Sequence, residues 1–168
     1  LLGMNMRTTV QNWEEFGIPK YMLTNGMNKS INLYGYWENH KDIERLKYCV
    51  LYESEKSVLK RDSLNDHSGL ALSGKSISDE QVRIILSLDI KEVVICLDQD
   101  VPIEEVWHIC NKFYGLRKVS YVRDTYGLID KKDSPADASN KIYSFLFKYR
   151  VKYTEEEHQA YLKSLEKK

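Results

Sequence analysis

The chain has 168 residues, a length that fits one domain of ordinary size. Its 25 basic and 25 acidic side chains exclude a surface that is basic throughout, but leave room for a local basic groove beside an acidic site. No apolar run of about 18 residues predicts a membrane span, and no basic region followed by an apolar segment predicts a secretory signal. We therefore expect a cytoplasmic protein that does not enter membranes. The first residue, Leu1, suggests a piece of a longer protein.

The N-terminal part of the chain, before residue 48, gives only weak structural signals. Strands are predicted at 7–10 and 31–36, and a helix is predicted at 38–46.

From residue 48 onward, short apolar runs alternate with amphipathic segments. Strands are predicted at 48–52, 69–72, 92–97 and 118–123. The run at 92–97 is apolar on both faces, as in a central parallel strand. This alternation is typical of βαβ units, so the sequence predicts an α/β fold with a parallel central sheet flanked by helices.

Helices are predicted between these strands and at the C-terminus. One spans 54–61, one follows a capping box at 78–81, and one follows Pro102. A further helix is expected to begin at Ser134-Pro135, and the tail 154–168 is expected to be helical. The apolar face of the helix that begins at Ser134 is predicted to hold Ile142, Phe145, Leu146 and Tyr149.

The three cysteines are Cys49, Cys96 and Cys110, and no two of them form a C-x-x-C pair. Two of them lie inside apolar runs. We therefore expect buried, reduced thiols and no zinc site in this chain.

Two of the most strand-like runs end in carboxylates, one at Glu53 and the other at Asp98 and Asp100. In an open parallel sheet, ligands bind at the carboxyl ends of the strands. If the two strands are neighbours, three carboxylates meet at one edge of the sheet. Asp98 and Asp100 are two residues apart, so in an extended stretch their side chains point the same way. Carboxylates held close together repel one another, and a bound hard divalent cation would remove this repulsion. Asp133 and Asp137 could add a further ligand.

Other roles for these acids remain open on spacing alone. An aspartate directly after a strand is often a turn or capping residue, and D-x-D pairs arise frequently by chance. Glu53 could equally be a solvated side chain, and Asp133 and Asp137 could be helix caps.

Four motifs, taken in order, resemble the TOPRIM domain shared by bacterial-type primases, topoisomerases and some nucleases. The variant at 53–57 and the preceding segment 33–39 resemble, in particular, phage and phage-like DnaG-type DNA primases. Two positions depart from the family pattern: Ser54 replaces the usual glycine, and Ser57 replaces an aspartate of many cellular primases. The four motifs are Val50-Leu-Tyr-Glu53-Ser-Glu-Lys-Ser57, Leu70-Ala-Leu-Ser-Gly74, Val93-Val-Ile-Cys-Leu-Asp98-Gln-Asp100 and Lys132-Asp-Ser-Pro-Ala-Asp137.

The resemblance implies a division of the chain and a set of site residues. Residues 1–46 would end a preceding primase catalytic region, 47–152 would form the TOPRIM domain, and 153–168 would be a helical tail. The implied catalytic residues are Glu53, Asp98 and Asp100, and the implied Mg²⁺ ligands, with Mn²⁺ as a substitute, are these three together with Asp133 and Asp137.

Basic side chains near these motifs are candidates for nucleotide or DNA phosphate contacts. Lys56 is the strongest because it belongs to the Glu53 motif, whereas Lys60, Arg61 and Lys75 could equally form solvated surfaces. The aromatic residues Tyr34, Tyr36 and Trp37 could stack on bases or pack in a core.

By this resemblance, the chain is the metal-binding catalytic fragment of a DNA primase, a DNA-directed RNA polymerase. Its substrates would be ribonucleoside triphosphates and a single-stranded DNA template, and a replicative helicase would be a further partner. Glu53 would either bind the metal or transfer a proton. Because a primase also needs a zinc-binding template module and the rest of its polymerase domain, we expect this chain alone to prime poorly or not at all.

Two other functions remain open. A TOPRIM nuclease would use the same carboxylates to hydrolyse a phosphodiester, and a non-catalytic nucleotide-binding or scaffold domain would keep the acids without chemistry. A topoisomerase fits less well because no tyrosine motif stands out. A response-regulator receiver also fits less well, since it needs an acidic pair after its first strand.

Overall fold

The computed structural model describes residues 3–24 and 27–166. Its N-terminal part holds a small antiparallel hairpin of β1 (Asn5–Arg7) and β2 (Tyr21–Leu23), a 3₁₀ turn at Lys29–Ile31, and helix α1 (Tyr36–Leu46). The remaining elements are β3 (Tyr48–Tyr52), α2 (Glu55–Asp62), β4 (Gly69–Ala71), α3 (Asp79–Ser87), β5 (Glu92–Cys96), α4 (Ile103–Phe113), β6 (Lys118–Tyr121), α5 (Asn140–Lys148), β7 (Val151–Lys152) and α6 (Glu155–Leu165).

The main sheet has the strand order β4-β3-β5-β6-β7. The first four strands are parallel and β7 pairs antiparallel with β6. The predicted α/β fold with a mostly parallel sheet is therefore confirmed. The sequence analysis did not find β7, because two residues are too few to form a recognisable pattern.

The sheet is covered on both faces, since successive side chains of its central strands enter two different cores. Cys49 and Leu51 of β3 pack with α1, α3 and α4, whereas Val50 and Tyr52 pack with α2 and α5. Each central strand is consequently buried on both sides, which explains its unbroken apolar sequence. All three cysteines are buried and unpaired, as expected.

The weak N-terminal signals were only partly right. Helix α1 is confirmed and begins two residues before the predicted start, but the strand predicted at 31–36 is wrong. Gly35 adopts a positive φ of 84°, which ends the extended backbone after a single bridge between Tyr34 and Ala71. The strand predicted at 7–10 lies instead at Asn5–Arg7.

The helix predicted to start at Ser134-Pro135 also needs correction. Residues Pro135–Asp137 form a separate 3₁₀ turn, and α5 begins at Asn140 with Ser139 as its cap. The buried face of α5 holds Tyr143 and Leu146, whereas Phe145 and Tyr149 of the predicted face are exposed. The apolar residues of α5 extend over more than half of its circumference, and Phe145 and Tyr149 lie on the part next to Lys141 and Lys148, so the predicted face was rotated toward the polar side of the helix.

The connections of β3 and β5 leave the sheet in opposite directions. From β3 the chain crosses one face through α2 to β4, and from β5 it crosses the other face through α4 to β6. The register pairs Tyr52 with Cys96, so the two strands end level with each other. The crevice between these two ends is where ligands bind in open α/β sheets. Among the helices in the described ranges, none is long and apolar enough to cross a membrane.

Candidate functional site

Three carboxylates gather around the crevice between β3 and β5. Glu53 follows β3 directly, and Asp98 and Asp100 follow β5. We refer to Glu53, Asp98 and Asp100 together as the acidic edge. The structure thus brings the two predicted acidic motifs to one end of neighbouring parallel strands.

Glu53 is half-buried, and one of its carboxylate oxygens, Oε2, is buried without a hydrogen-bond partner among the described residues. Burial raises the pKa of the Glu53 carboxyl, and the nearby charges of Asp98 and Asp100 raise it further. Lys75 partly offsets this rise. The positive charge of Lys75 therefore does not fully compensate for the burial of the Glu53 carboxylate and its repulsion by Asp98 and Asp100.

Asp98 is half-buried as well, and burial is the main cause that raises the pKa of its carboxyl. The Ser134 hydroxyl lies close enough to lower the pKa, although the two groups do not reach hydrogen-bonding geometry. The negative charges of Asp100 and Asp137 raise the pKa of the Asp98 carboxyl. Glu53 and Asp98 are thus electrostatically coupled, and both resist ionisation.

Asp100 does not share the orientation that the sequence suggested for the D-x-D pair. The Val101 amide donates to the Asp98 carbonyl at 3.2 Å, so this segment is a turn rather than an extended stretch. As a result Asp100 is exposed while Asp98 is half-buried. Asp100 still contributes charge to the edge, since it raises the pKa of both other carboxyls.

The chemistry of the acidic edge fits a hard divalent cation. Carboxylate oxygens are the preferred ligands of Mg²⁺ and Mn²⁺, and the unpartnered Glu53 Oε2 is available as one. Within residues 3–24 and 27–166, however, no three acidic, histidine or cysteine side chains are already close enough to form a ligand set. Ion binding at this edge would require the carboxylates to move closer together.

Asp137 and Asp133 occupy different environments. Asp137 accepts from Lys56 Nζ at 3.0 Å and lies 3.6 Å from Lys60 Nζ, so it links the 3₁₀ turn to α2. Asp133 is exposed, and its carbonyl accepts from the Gln99 amide at 3.2 Å. Asp137 is therefore near the acidic edge but already ion-paired, while the Asp133 carboxylate has no partner in the described structure.

The four basic residues predicted to contact phosphates lie in different environments. Lys75 is exposed and close enough to lower the pKa of Glu53 and Asp98, whereas Lys56 and Lys60 pair with Asp137. Arg61 is buried, with Nε donating to Asp66 at 3.0 Å and its guanidinium 3.6 Å from the Tyr143 ring centroid. Arg61 is consequently not available for the phosphate contact that the sequence suggested.

A cleft of about 1060 Å³ adjoins the acidic edge. It opens between the β1–β2 hairpin, the start of α1 and the start of α2, and Ser54 and Ser73 form its border next to the edge. The three carboxylates themselves do not line it. Its side chains include the apolar and aromatic Met4, Met6, Tyr34, Tyr36, Trp37 and Leu59, the basic Arg7, Lys29 and Lys56, and the acidic Glu38 and Glu55.

Two residues that the sequence analysis missed tie the hairpin region to the sheet. Lys29 Nζ donates to the Ser73 carbonyl at 3.2 Å, and Glu55 Oε1 accepts from Ser73 Oγ at 2.6 Å and from Asn5 Nδ2 at 3.2 Å. Ser73 has a positive φ of 57°, an unusual backbone conformation for a residue with a side chain. These contacts hold the turn after β4 beside Glu53, whose carbonyl accepts from the Gly74 amide at 3.0 Å.

Gln81 of α3 links this helix to the 3₁₀ turn at Lys29–Ile31. Its Nε2 donates to the carbonyls of Lys29 at 3.0 Å and Asn32 at 2.9 Å, while Oε1 caps α3 through the Ser78 amide. The capping role was predicted and is confirmed. The contact with Lys29, 52 residues away, leaves no local signal in the sequence.

Comparisons with known proteins show what this chain resembles. No family model matches it. It is 30% identical over 176 residues to the SPbeta prophage-derived uncharacterized protein YorJ of Bacillus subtilis (strain 168). This alignment covers 90% of this chain and 46% of YorJ.

Solved structures give a clearer answer about the fold. The Aquifex aeolicus primase, with its zinc-binding and RNA polymerase domains, matches 91% of this chain with a TM-score of 0.74 and 17% identity. A DnaG primase catalytic domain bound to ssDNA matches 90% with a TM-score of 0.69 and 15% identity. The chain spans 38% and 48% of those two proteins. It therefore has the fold of part of a primase catalytic core.

The coupling at the acidic edge predicts how Asp98→Asn changes stability. Because both carboxyls have a raised pKa in the fold, their ionisation costs stability as the pH rises above their unfolded values of about 4. Asp98→Asn should raise the free energy of unfolding at about pH 7, by roughly 1 kcal/mol or less after solvent screening. The gain should disappear near about pH 3, where Asp98 and Glu53 of the wild type are largely protonated in both the folded and the unfolded chain. Thermal unfolding at the two pH values measures this.

Asp89→Asn is the matched control, since Asp89 lies before β5 at the opposite edge of the sheet. Its carboxylate pairs with Lys47 at 2.5 Å, and this contact lowers its pKa, so the substitution should not stabilise the protein. A loss of stability in Asp98→Asn at neutral pH would contradict the coupling described here.

Proposed function

We propose that the chain is the TOPRIM-type metal-binding region of a DNA primase, and that the acidic edge binds Mg²⁺. The observation that carries the proposal is the pair of half-buried carboxylates, Glu53 and Asp98, with raised pKa values at the crevice between β3 and β5. Support also comes from the fold shared with primase catalytic cores and from the four ordered sequence motifs.

The proposed ligands are Glu53, Asp98 and Asp100, which would move together around the ion. Bound magnesium would neutralise triphosphate charge and favour attack by a primer 3′-hydroxyl. Glu53 has a second possible role in proton transfer, because a raised pKa brings a carboxylate closer to the range of an effective general base. Asp137 would contribute indirectly, by orienting Lys56.

The chain's basic groups would bind the phosphates of the nucleotide. Lys75 is exposed beside the acidic edge, and the exposed Lys56 could exchange its partner Asp137 for a phosphate. The adjoining cleft offers Arg7 and Lys29 together with aromatic side chains that suit unpaired bases. The proposed substrates are therefore ribonucleoside triphosphates and a single-stranded DNA template. Because the chain spans 38% of the Aquifex aeolicus primase, primer synthesis is proposed for a protein that also carries the remaining primase segments.

A manganese titration tests the metal site. Mn²⁺ should bind saturably to the wild-type chain, and both Asp98→Asn and Glu53→Gln should weaken binding by about tenfold or more, because each removes a ligand charge. Water-proton relaxation enhancement reports the bound ion directly and requires no activity.

Asp89→Asn, the same chemical change at the opposite edge of the sheet, serves as the control and should bind Mn²⁺ like the wild type. Binding that is absent, or that persists unchanged in Asp98→Asn, would refute the metal site.

An activity assay distinguishes a primase from a nuclease. An end-labelled single-stranded DNA is incubated with Mn²⁺, labelled ribonucleotides and either these 168 residues or the full product of their gene. We expect new RNA from the full gene product, little or none from these residues alone, and DNA of unchanged length. DNA shortened in a manner that depends on Glu53 would instead establish the nuclease. A full gene product that binds Mn²⁺ but catalyses neither reaction would indicate a scaffold.

A further inference from the structure

Three aromatic rings form an exposed row on the outer side of α5. Phe145 lies between the two others, with ring centroids 5.2 Å from Tyr126 and 4.8 Å from Tyr149. The exposed fractions are 57% for Tyr126, 38% for Phe145 and 51% for Tyr149. Contiguous exposed apolar surface, unlike single scattered apolar residues, is a feature of interaction sites when it is extensive.

The backbone that carries the three rings is anchored to the rest of the fold. Phe145 and Tyr149 lie one turn apart on α5, whose buried residue Tyr143 shares a hydrogen bond of 2.6 Å with Tyr52 of the central sheet. Tyr126 belongs to a loop in which the Asp124 carboxylate accepts from the amides of Tyr126, Leu128 and Ile129. The two segments are thus held so that the rings of Tyr126 and Tyr149 can both reach Phe145.

The part of this surface that α5 forms is basic, whereas the loop of Tyr126 carries Asp124 and the exposed Asp130. Residues 138–154 contain four basic side chains and no acidic one, although the whole chain is balanced at 25 of each sign. Arg150 pairs with Glu92, but Lys141 and Lys148 are exposed on the same side of α5 as Phe145 and Tyr149. Across the described ranges, neither lysine takes part in an ion pair, and Lys148 Nζ lies 5.4 Å from the Tyr149 ring centroid.

We propose that this aromatic–basic face, formed by Tyr126, Phe145 and Tyr149 with Lys141 and Lys148, binds single-stranded nucleic acid. Its rings can stack on bases, and its lysines can contact the phosphates between them. The bases must be unpaired, since stacking needs an exposed base face. Aromatic rings are also enriched in protein–protein interfaces, but lysine is depleted there, so the two lysines favour a nucleic acid over a protein partner.

The face is distinct from the acidic edge and from the cleft, and it needs no metal. It contacts neither Glu53 nor the cleft, whose lining includes none of its residues. A strand bound there would be held by the part of the chain that lies beyond β6, whatever reaction the acidic edge performs.

Fluorescence anisotropy in EDTA tests the proposal with labelled oligothymidylate and oligouridylate of about 15 nucleotides. Tyr149→Ala and Tyr126→Ala should each weaken binding by about fivefold or more, because each removes a stacking partner. Lys148→Gln should weaken binding and reduce its logarithmic salt dependence by about 0.7. Tyr149→Phe keeps the ring and should bind like the wild type.

Two matched controls lie outside the face. Phe16→Ala removes another exposed aromatic ring, and Lys163→Gln removes an exposed lysine of α6; both should leave binding unchanged. Because every substitution is at an exposed side chain, thermal unfolding should remain close to that of the wild type. Equal affinity of the wild type and the Tyr149→Ala and Tyr126→Ala variants would overturn the proposal. Binding of a duplex as tight as that of the single strand would overturn it as well.

Discussion

Parallel pairing of β3 with β5 is the constraint on which the candidate site depends. Five residue pairs, from Tyr48–Glu92 to Tyr52–Cys96, fix the register, so Glu53 and the Asp98 segment emerge at the same edge. The helices that follow lie on opposite faces of the sheet and leave the crevice between them open. A shift of register by one residue would exchange the side chains of β5 between the two cores and would move the Asp98 segment out of level with Glu53.

This arrangement gives the fold an electrostatic cost. Glu53 and Asp98 are both half-buried and both repelled by neighbouring acids, and the Glu53 Oε2 atom has no partner in the described structure. Other charges inside the fold are paired, as in Arg61 with Asp66 and Arg150 with Glu92, although Arg61 Nη1 and Asp137 Oδ1 are also buried without a hydrogen bond to the described residues. What distinguishes the crevice is that both of its half-buried carboxyls, Glu53 and Asp98, have a raised pKa, which is typical of a ligand site.

Sequence patterns could predict the sheet and the acidic motifs because their signals are local. The run Val93–Leu97 is apolar on both faces, and a carboxylate follows it directly, so both the strand and the acid can be recognised without other information. The burial of Arg61 and the contact of Gln81 with Lys29 could not be predicted, since both depend on residues distant in sequence.

Helix α5 shows the same limit in a more useful form. Its apolar residues extend over more than half of its circumference, and the sheet buries Tyr143 and Leu146 while Phe145 and Tyr149 remain exposed beside Lys141 and Lys148. The predicted apolar face was therefore wrong where the aromatic–basic face lies. Departures from simple patterning are expected where a surface has a function.

Anomalous scattering from a crystal of this chain soaked in Mn²⁺ would show whether the acidic edge binds a divalent ion. We expect an anomalous peak in the crevice between β3 and β5, from an ion bound by carboxylate oxygens of Glu53 and Asp98 that have moved together. A folded chain with no peak in that crevice, or with manganese bound only at carboxylates elsewhere, would contradict it.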